Sequence, residues 1–186
     1  ELFCRWLDRD KWNPELIVFS GVTDCCQPVE KQLKLTRGCL EVTWEYRQPV
    51  SIITKNALVT RDIDILSQMA AHNLASVTIS VNSLDAKLTS LMEPRTSTSA
   101  SRLRAISQLA AAGIPAQVMV APVIPSLNNC EVPAILEQAH LAGASAASYV
   151  LLRLPLTVRE VFVDWLRKAL PMKADRVLAR MQVLRN

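Results

Sequence analysis

Five short apolar runs, rich in β-branched residues, constrain this chain more than any other feature: 16–19, 50–53, 76–81, 117–121 and 148–152. They begin 34, 26, 41 and 31 residues apart, the length of a strand plus a helix rather than of a helical solenoid. Each gap carries helical spacing. Leu33, Leu40 and Trp44 share a face, as do Ile63, Leu66 and Met69, then Leu103, Ile106, Leu109 and Ala110, then Ile135, Leu136 and Ala139. Gly113 and Gly143 sit where a left-handed residue ends a helix, and Asp62 and the Ser/Thr cluster at 96–101 offer helix starts. The repetition predicts parallel strands with right-handed crossovers. Segments 157–170 and 173–185 read as two further helices, with Val161, Phe162, Trp165 and Leu166 as a core stripe. The expected division is a β/α body over 1–156 and C-terminal helices over 157–186 packed on it.

Five parallel strands do not close an eight-stranded barrel, and the first segment, with Leu2, Phe3, Trp6 and Leu7, reads as a helix with no strand before it. The chain is thus expected to open in mid-fold. Two α/β architectures remain: a doubly wound open sheet, or a partial β/α barrel whose first strand is missing. With four glycines and no G-x-G-x-x-G or P-loop, Rossmann-type nucleotide binding is disfavoured. At 186 residues the chain can bury roughly 70% of its unfolded surface. Its 50% hydrophobic and 20% charged residues exclude disorder and low-complexity arrays. It has no run of 18 apolar residues and no signal-peptide layout, which predicts a cytoplasmic protein without a membrane segment. The five cysteines are odd in number, include an adjacent pair and form no C-x-x-C, and there are only two histidines. Neither a disulfide framework nor a complete metal site is expected.

The charge is unevenly spread. Residues 1–146 carry 13 Lys+Arg against 14 Asp+Glu, whereas 147–186 carry 8 against 3, a local +5. A basic pair of terminal helices is either a solvated face or a surface that tracks phosphates of nucleic acid.

Both architectures place active sites at the carboxyl ends of the strands. Polar residues follow every run: Ser20-Gly21-Val22-Thr23-Asp24, Thr54-Lys55-Asn56, Ser80-Val81-Asn82-Ser83, Pro122-Val123-Ile124-Pro125-Ser126, and Arg153. Lys55 reads as an anion anchor, as a Schiff-base nucleophile or as a strand-end lysine reaching solvent. Cys25 and Cys26 read as small buried hydrophobes or as a reactive thiol beside Asp24. A carboxylate neighbour raises a thiol's pKa, which disfavours a thiolate but leaves a neutral S–H able to donate a hydrogen atom.

Five motifs in register carry a resemblance. Thr54-Lys55, Ser80-Val81-Asn82-Ser83, Glu93-Pro94-Arg95-Thr96 with Arg102, Ala112-Gly113-Ile114-Pro115 and Val120-Ala121-Pro122 resemble the strand ends of the spore photoproduct lyase-like branch of the radical S-adenosylmethionine superfamily. Thr23-Asp24 with Gln27-Pro28-Val29-Glu30, Leu35-Thr36-Arg37 and Leu152-Arg153-Leu154-Pro155 are similar to uncharacterised members of that branch. The resemblance implies a six-stranded partial barrel that binds a [4Fe-4S] cluster and S-adenosylmethionine and uses a 5′-deoxyadenosyl radical to abstract hydrogen. It also implies an electron donor and a lyase-like activity such as DNA photoproduct repair. The C-x-x-x-C-x-x-C loop that holds the cluster is absent, and its usual position is upstream of Glu1. The chain as given is therefore expected to be inactive alone.

By the same resemblance Gly21, Thr23 and Asp24 border the methionine amino group and Lys55 lies near its carboxylate. Ser80 and Asn82 belong to the ribose-binding strand, Val123 lines the adenine pocket, and Arg153 joins the rim. Cys25 and Cys26 are the candidate hydrogen donors, although neither is in register with the cysteine of the repair enzymes, and related proteins carry Tyr at the place of Cys26. The competing readings are a non-catalytic barrel segment that binds a ligand or a partner, and a Schiff-base lyase using Lys55.

Overall fold

The computed structural model describes residues 1–9, 12–21 and 23–183. After α1 (Leu2–Leu7) come β1 (Ile17–Phe19), α2 (Glu30–Leu33), α3 (Leu35–Glu45), β2 (Val50–Thr54), α4 (Ile63–Ala70) and β3 (Ala75–Ser80). They are followed by α5 (Ala86–Met92), α6 (Ser99–Ala111), β4 (Ala116–Val123), α7 (Val132–Leu141), β5 (Ala146–Leu151), α8 (Val158–Ala169) and α9 (Pro171–Val183). Short 3₁₀ turns at Ala57–Asp62 and Asn129–Glu131 lead into α4 and α7.

The five strands form one parallel sheet in the order β1-β2-β3-β4-β5, flanked by helices and not closed. In register, Ile17 lies opposite Val50, Val50 opposite Ala75, Val77 opposite Ala116 and Gln117 opposite Ala146. This is the predicted sequential α/β arrangement, that of a partial barrel. Both edges are open: Val18 of β1 is 47% exposed, and every residue of β5 is exposed.

The two faces of the sheet differ because side chains alternate along a strand. Ile17, Phe19, Val50, Ile52, Val77, Ile79, Val81, Val118 and Val120 pack into the helix-side core with Leu40, Leu66, Met69, Ile106, Leu109 and Ile135. Each fully buried aliphatic side chain there contributes about 1.5–3 kcal/mol, so this face holds the sheet together. The alternate positions, Ser51, Ser76, Thr78, Ser80, Asn82 and Gln117, form the other face, where the Ser76 hydroxyl donates to Ser51 Oγ at 3.1 Å. A second core, made of Leu88, Ile124, Leu127, Leu166, Ala174 and Val177, joins α8 and α9 to α5 and to the loop after β4.

The punctuation acts largely as read. Thr98 caps α6 by accepting the Ser101 amide, and Gly113 and Gly143 follow α6 and α7 at φ +74° and +95°. At Gly143 a Cβ would meet the Ala110 Cβ at 2.8 Å, so both its backbone and its closeness to α6 demand glycine. Four expectations are corrected. Leu33 is not on the α3 face, because Lys34 at φ 52° breaks the helix and leaves Leu33 55% exposed. Leu136 points outward while Ile135 and Ala139, four residues apart, take the buried stripe. Asp62 does not cap α4; its carboxylate faces Arg61 and Arg37 instead. In α8 the stripe centres on fully buried Leu166, and Val161 is 71% exposed. Val22 and residues 184–185 of the last expected helix lie outside the described residues. Among the described residues no helix is long and apolar enough to cross a membrane.

Candidate active site at the strand ends

Asp24, in the loop after β1, buckles that loop to the end of β2. Its Oδ1 accepts from the Cys26 amide at 2.8 Å and the Thr54 hydroxyl at 2.6 Å, and its Oδ2 accepts from the Lys55 amide at 2.7 Å. Charge-assisted bonds of this kind are about twice as strong as neutral ones. The loop is gripped from α3 as well, where the Thr36 hydroxyl donates to the Cys25 carbonyl at 2.5 Å. The two thiols are thereby fixed: Cys25 Sγ donates to the Phe19 carbonyl at 3.4 Å and lies 3.9 Å from Cys26 Sγ. Cys26 is buried, and its thiol is held far above the ordinary range by the hydrogen bond with Cys25, then by burial and by the Asp24 charge.

A second cluster stands beside the first. The Lys55 ammonium donates to Glu93 Oε1, and Glu93 Oε2 accepts from Arg102 Nη2 at 2.6 Å. Arg102 is fully buried although it is charged, because each of its three guanidinium nitrogens donates a hydrogen bond. Nε donates to the Ser97 carbonyl and Nη1 to the Ser80 carbonyl, each at 2.8 Å, and Nη2 also donates to Thr96 Oγ1 at 2.5 Å. Two cations against one carboxylate leave this cluster with an excess of positive charge near the end of β2. Lys55 and Glu93 also line a cavity of about 420 Å³ whose walls include Pro122, Leu152, Phe162 and Trp165.

The loops after β3 and β4 are locked to each other. Asn128 Nδ2 donates to the carbonyls of Asn82 at 2.7 Å and Pro122 at 2.9 Å, while its Oδ1 accepts from the Ile124 amide at 2.6 Å. Glu131 accepts from the Ser83 hydroxyl at 2.8 Å and the Leu84 amide at 2.7 Å. Within this well-bonded rim one side chain is left over. Asn82 is fully buried, and neither atom of its carboxamide has a partner among the described residues. That group has two donors and two acceptor lone pairs, and each unmet buried polar group costs about 1–3 kcal/mol. An exception of this kind calls for an explanation, and a polar ligand is one.

Of the residues singled out in the sequence, the structure brings Asp24, Cys25, Cys26 and Lys55 into one hydrogen-bonded unit. Ser80 is tied to it through Arg102 and Glu93, and Asn82 lies two residues further on the same strand face. Gly21, at φ 111°, and Thr23 are exposed, and Arg153 is exposed beside β5, lining a separate cavity of about 730 Å³ with Tyr149 and Met181. Val123 is buried in the helix-side core rather than on the open face. Glu93 and Arg102 were recognisable only as motif letters, with no role attached to them. Asn128 and Glu131 have no local signal at all, since each works across a loop-to-loop contact.

The donor set limits what can be held here. Asp24, Cys25 and Cys26 form the only group of three metal-ligating side chains among the described residues. No three cysteines converge there, so these residues do not fit a [4Fe-4S] cubane. Asn82 and Ser80, by contrast, carry a carboxamide and a hydroxyl, the kinds of group that pair with hydroxyls.

Comparison with known proteins agrees in outline. Residues 5–139 match the family model of the Radical SAM superfamily. The chain is 32% identical over 172 residues to an uncharacterised protein of Mycobacterium tuberculosis, an alignment covering 91% of this chain and 51% of that protein. An uncharacterised protein of Methanocaldococcus jannaschii is 30% identical over 146 residues, covering 69% of this chain and 55% of the relative. An uncharacterised protein of Acidianus two-tailed virus is 31% identical over 116 residues, covering 62% of this chain and 37% of the viral protein. The chain spans about half the length of the mycobacterial and archaeal relatives it matches.

Proposed function

This chain belongs to the radical S-adenosylmethionine superfamily, and from that premise we propose that its strand-end rim binds S-adenosylmethionine within an enzyme that abstracts hydrogen from its substrate. When bound, that cofactor supplies a primary carbon radical on reductive cleavage. The observation that carries the reading beyond family membership is Asn82, a buried carboxamide with neither atom partnered. In this reading Asn82 and Ser80 meet the ribose hydroxyls. Lys55 meets the methionine carboxylate by leaving Glu93, and Glu93 keeps its second cation, Arg102. Asp24 is a positioning residue whose three hydrogen bonds set the loop against β2. Exposed Gly21, Thr23 and Arg153 take outer positions, and Val123 takes none, because its side chain is spent in the core. The cluster cysteines would come from outside the described residues, with an external electron donor.

The finer form of this proposal is a lyase-like reaction on a damaged nucleic acid. Two observations support it: the half-buried Cys25 thiol, held as an S–H donor toward Phe19, and the arginines on α8 and α9 that hold no carboxylate among the described residues.

The test is calorimetric titration of S-adenosylmethionine into the wild type and Asn82→Leu, with thermal melts beside it. Loss of the carboxamide should weaken binding roughly ten- to a hundredfold, the equivalent of about 1.5–3 kcal/mol for two hydrogen bonds. It should also leave the melting temperature equal or higher, because an unmet polar group has been removed. Equal affinity in the two proteins overturns the assignment.

A further inference from the structure

The adjacent thiols after β1 have a geometry that hydrogen donation does not require. Cys25 Sγ and Cys26 Sγ lie 3.9 Å apart, and together with a carboxylate oxygen of Asp24 all three ligand atoms fall within 4.8 Å of one another. A tetrahedral zinc ion with Zn–S bonds of about 2.3 Å sets its two sulfurs about 3.8 Å apart. We propose that Asp24, Cys25 and Cys26 form a three-ligand site for a thiophilic divalent d¹⁰ cation of the Zn²⁺ class, with water in the fourth position.

The chemistry of the donors and their surroundings supports this assignment. Two sulfurs select Zn²⁺ or Cd²⁺ over the oxygen-seeking Mg²⁺ and Ca²⁺. Asp24 already accepts three hydrogen bonds, from the Cys26 amide, Thr54 and the Lys55 amide, and a carboxylate offers about four lone-pair sites, so one is left for an ion. Those same bonds act as an outer shell that fixes the ligand, as the Thr36 hydroxyl does for the Cys25 carbonyl. Binding replaces the two S–H protons, which leave to solvent, and costs Cys25 its contact with the Phe19 carbonyl. Three anionic ligands around a dication leave one negative charge, which the open, half-buried side of the site exposes to solvent. Entry is open on one side, since Asp24 and Cys25 are only half-buried. An ion-bound sulfur has no hydrogen to give, so ion binding and hydrogen donation exclude each other at these thiols. The site stands on this geometry alone and does not depend on the cofactor reading.

The probe is Cd²⁺, titrated anaerobically into the reduced protein while the ultraviolet sulfur-to-cadmium charge-transfer band is followed, with Zn²⁺ as competitor. One equivalent should bind with the amplitude of two thiolates, and Zn²⁺ should displace it. Cys25→Ser and Cys26→Ser should each weaken binding by more than the roughly ten- to hundredfold that outer-shell losses cost, and should halve the amplitude. Cys39→Ser and Cys130→Ser should change nothing, and thiolates ligated elsewhere contribute equally to every variant and cancel. If Cys26→Ser melts early because its site is buried, half-buried Cys25→Ser decides alone. The absence of a one-equivalent site, or a band that survives Cys25→Ser at full amplitude, overturns the proposal. Titration of Cd²⁺ into Asn82→Leu keeps the two readings apart, because Asn82 is no ligand of the ion and its loss should leave the cation affinity unchanged.

Discussion

Four half-buried or buried cations of the β/α body and the exposed arginines of the C-terminal helix pair do opposite things. In the body, Arg37, Lys55, Arg61 and Arg102 each hold a carboxylate, and Arg102 does so while fully buried. On α8 and α9 only Lys168 forms an ion pair among the described residues, with Asp164 one turn away, while Arg159, Arg167, Arg176 and Arg180 hold none. The family match, over residues 5–139, ends before both helices. The difference teaches that residue type does not fix a charge's work; burial does. A guanidinium enclosed by protein must have its donors met by protein groups, whereas one on an open helix has them met by water. The paired set therefore belongs to the fold and the rim, and the exposed set leaves stability alone; the nucleic-acid partner we propose would draw on that exposed set.

The sharpest way to break this contrast is at Arg102. Arg102→Met keeps a long apolar stem but strips four hydrogen bonds and leaves Glu93 buried with Lys55 as its only cation. Breaking a buried pair from one side costs about 3–5 kcal/mol, so the urea midpoint should fall steeply. A loss below about 1 kcal/mol, the value of an exposed pair, would put Arg102 with the surface cations and erase the comparison.

A smaller effect, of a different kind, is expected on the helices. Replacing Arg159, Arg167, Arg176 and Arg180 together by Gln should leave stability within about 0.5 kcal/mol per site, as surface changes do. The salt dependence of single-stranded nucleic-acid binding should flatten by about 0.7 for each arginine that meets a phosphate. Filter binding across a salt series measures this slope. An unchanged slope together with a large drop in melting temperature would mean that these arginines serve the fold after all.

The parts that could be read from sequence are those set by local period. The five strands, their parallel order and the left-handed glycines after α6 and α7 follow from spacing and backbone freedom, and the structure repeats them. The polar face of the sheet was also within reach, since Ser76, Thr78, Ser80 and Asn82 alternate with Val77, Ile79 and Val81. What sequence could not give depends on convergence from afar. Lys34 takes a positive φ with no glycine, proline or asparagine to mark it, so the break between α2 and α3 has no local signature. Arg102 sits in α6 like any solvated arginine until the carbonyls of Ser80 and Ser97 and the carboxylate of Glu93 are brought around it. Asn82 is conspicuous only once its neighbours are known to leave it unmet.

The smallest expected effect tests the exposed end of the same scale. Arg37 of α3 grips Asp64 of α4 with both nitrogens, at 2.5 and 2.8 Å, yet the Asp64 side chain is 59% exposed. The hydrogen bonds from Arg37 hold the Asp64 carboxyl below its ordinary value. A lowered folded-state pKa means that this stabilisation is full above the unfolded value, about 4, and fades as pH falls through the lower folded one. Solvent screening confines its worth to about 0.2–1 kcal/mol. Asp64→Asn should therefore lower stability slightly at neutral pH, converge with the wild type in acid, and lose its effect in high salt. Arg37 keeps buried Asp62, 3.7 Å away, and that contact limits the loss further. Melting curves from pH 7 down to pH 3 check the sign. Were Asp64→Asn to cost as much as Arg102→Met, burial would no longer separate the ion pairs that build this protein from those that water screens.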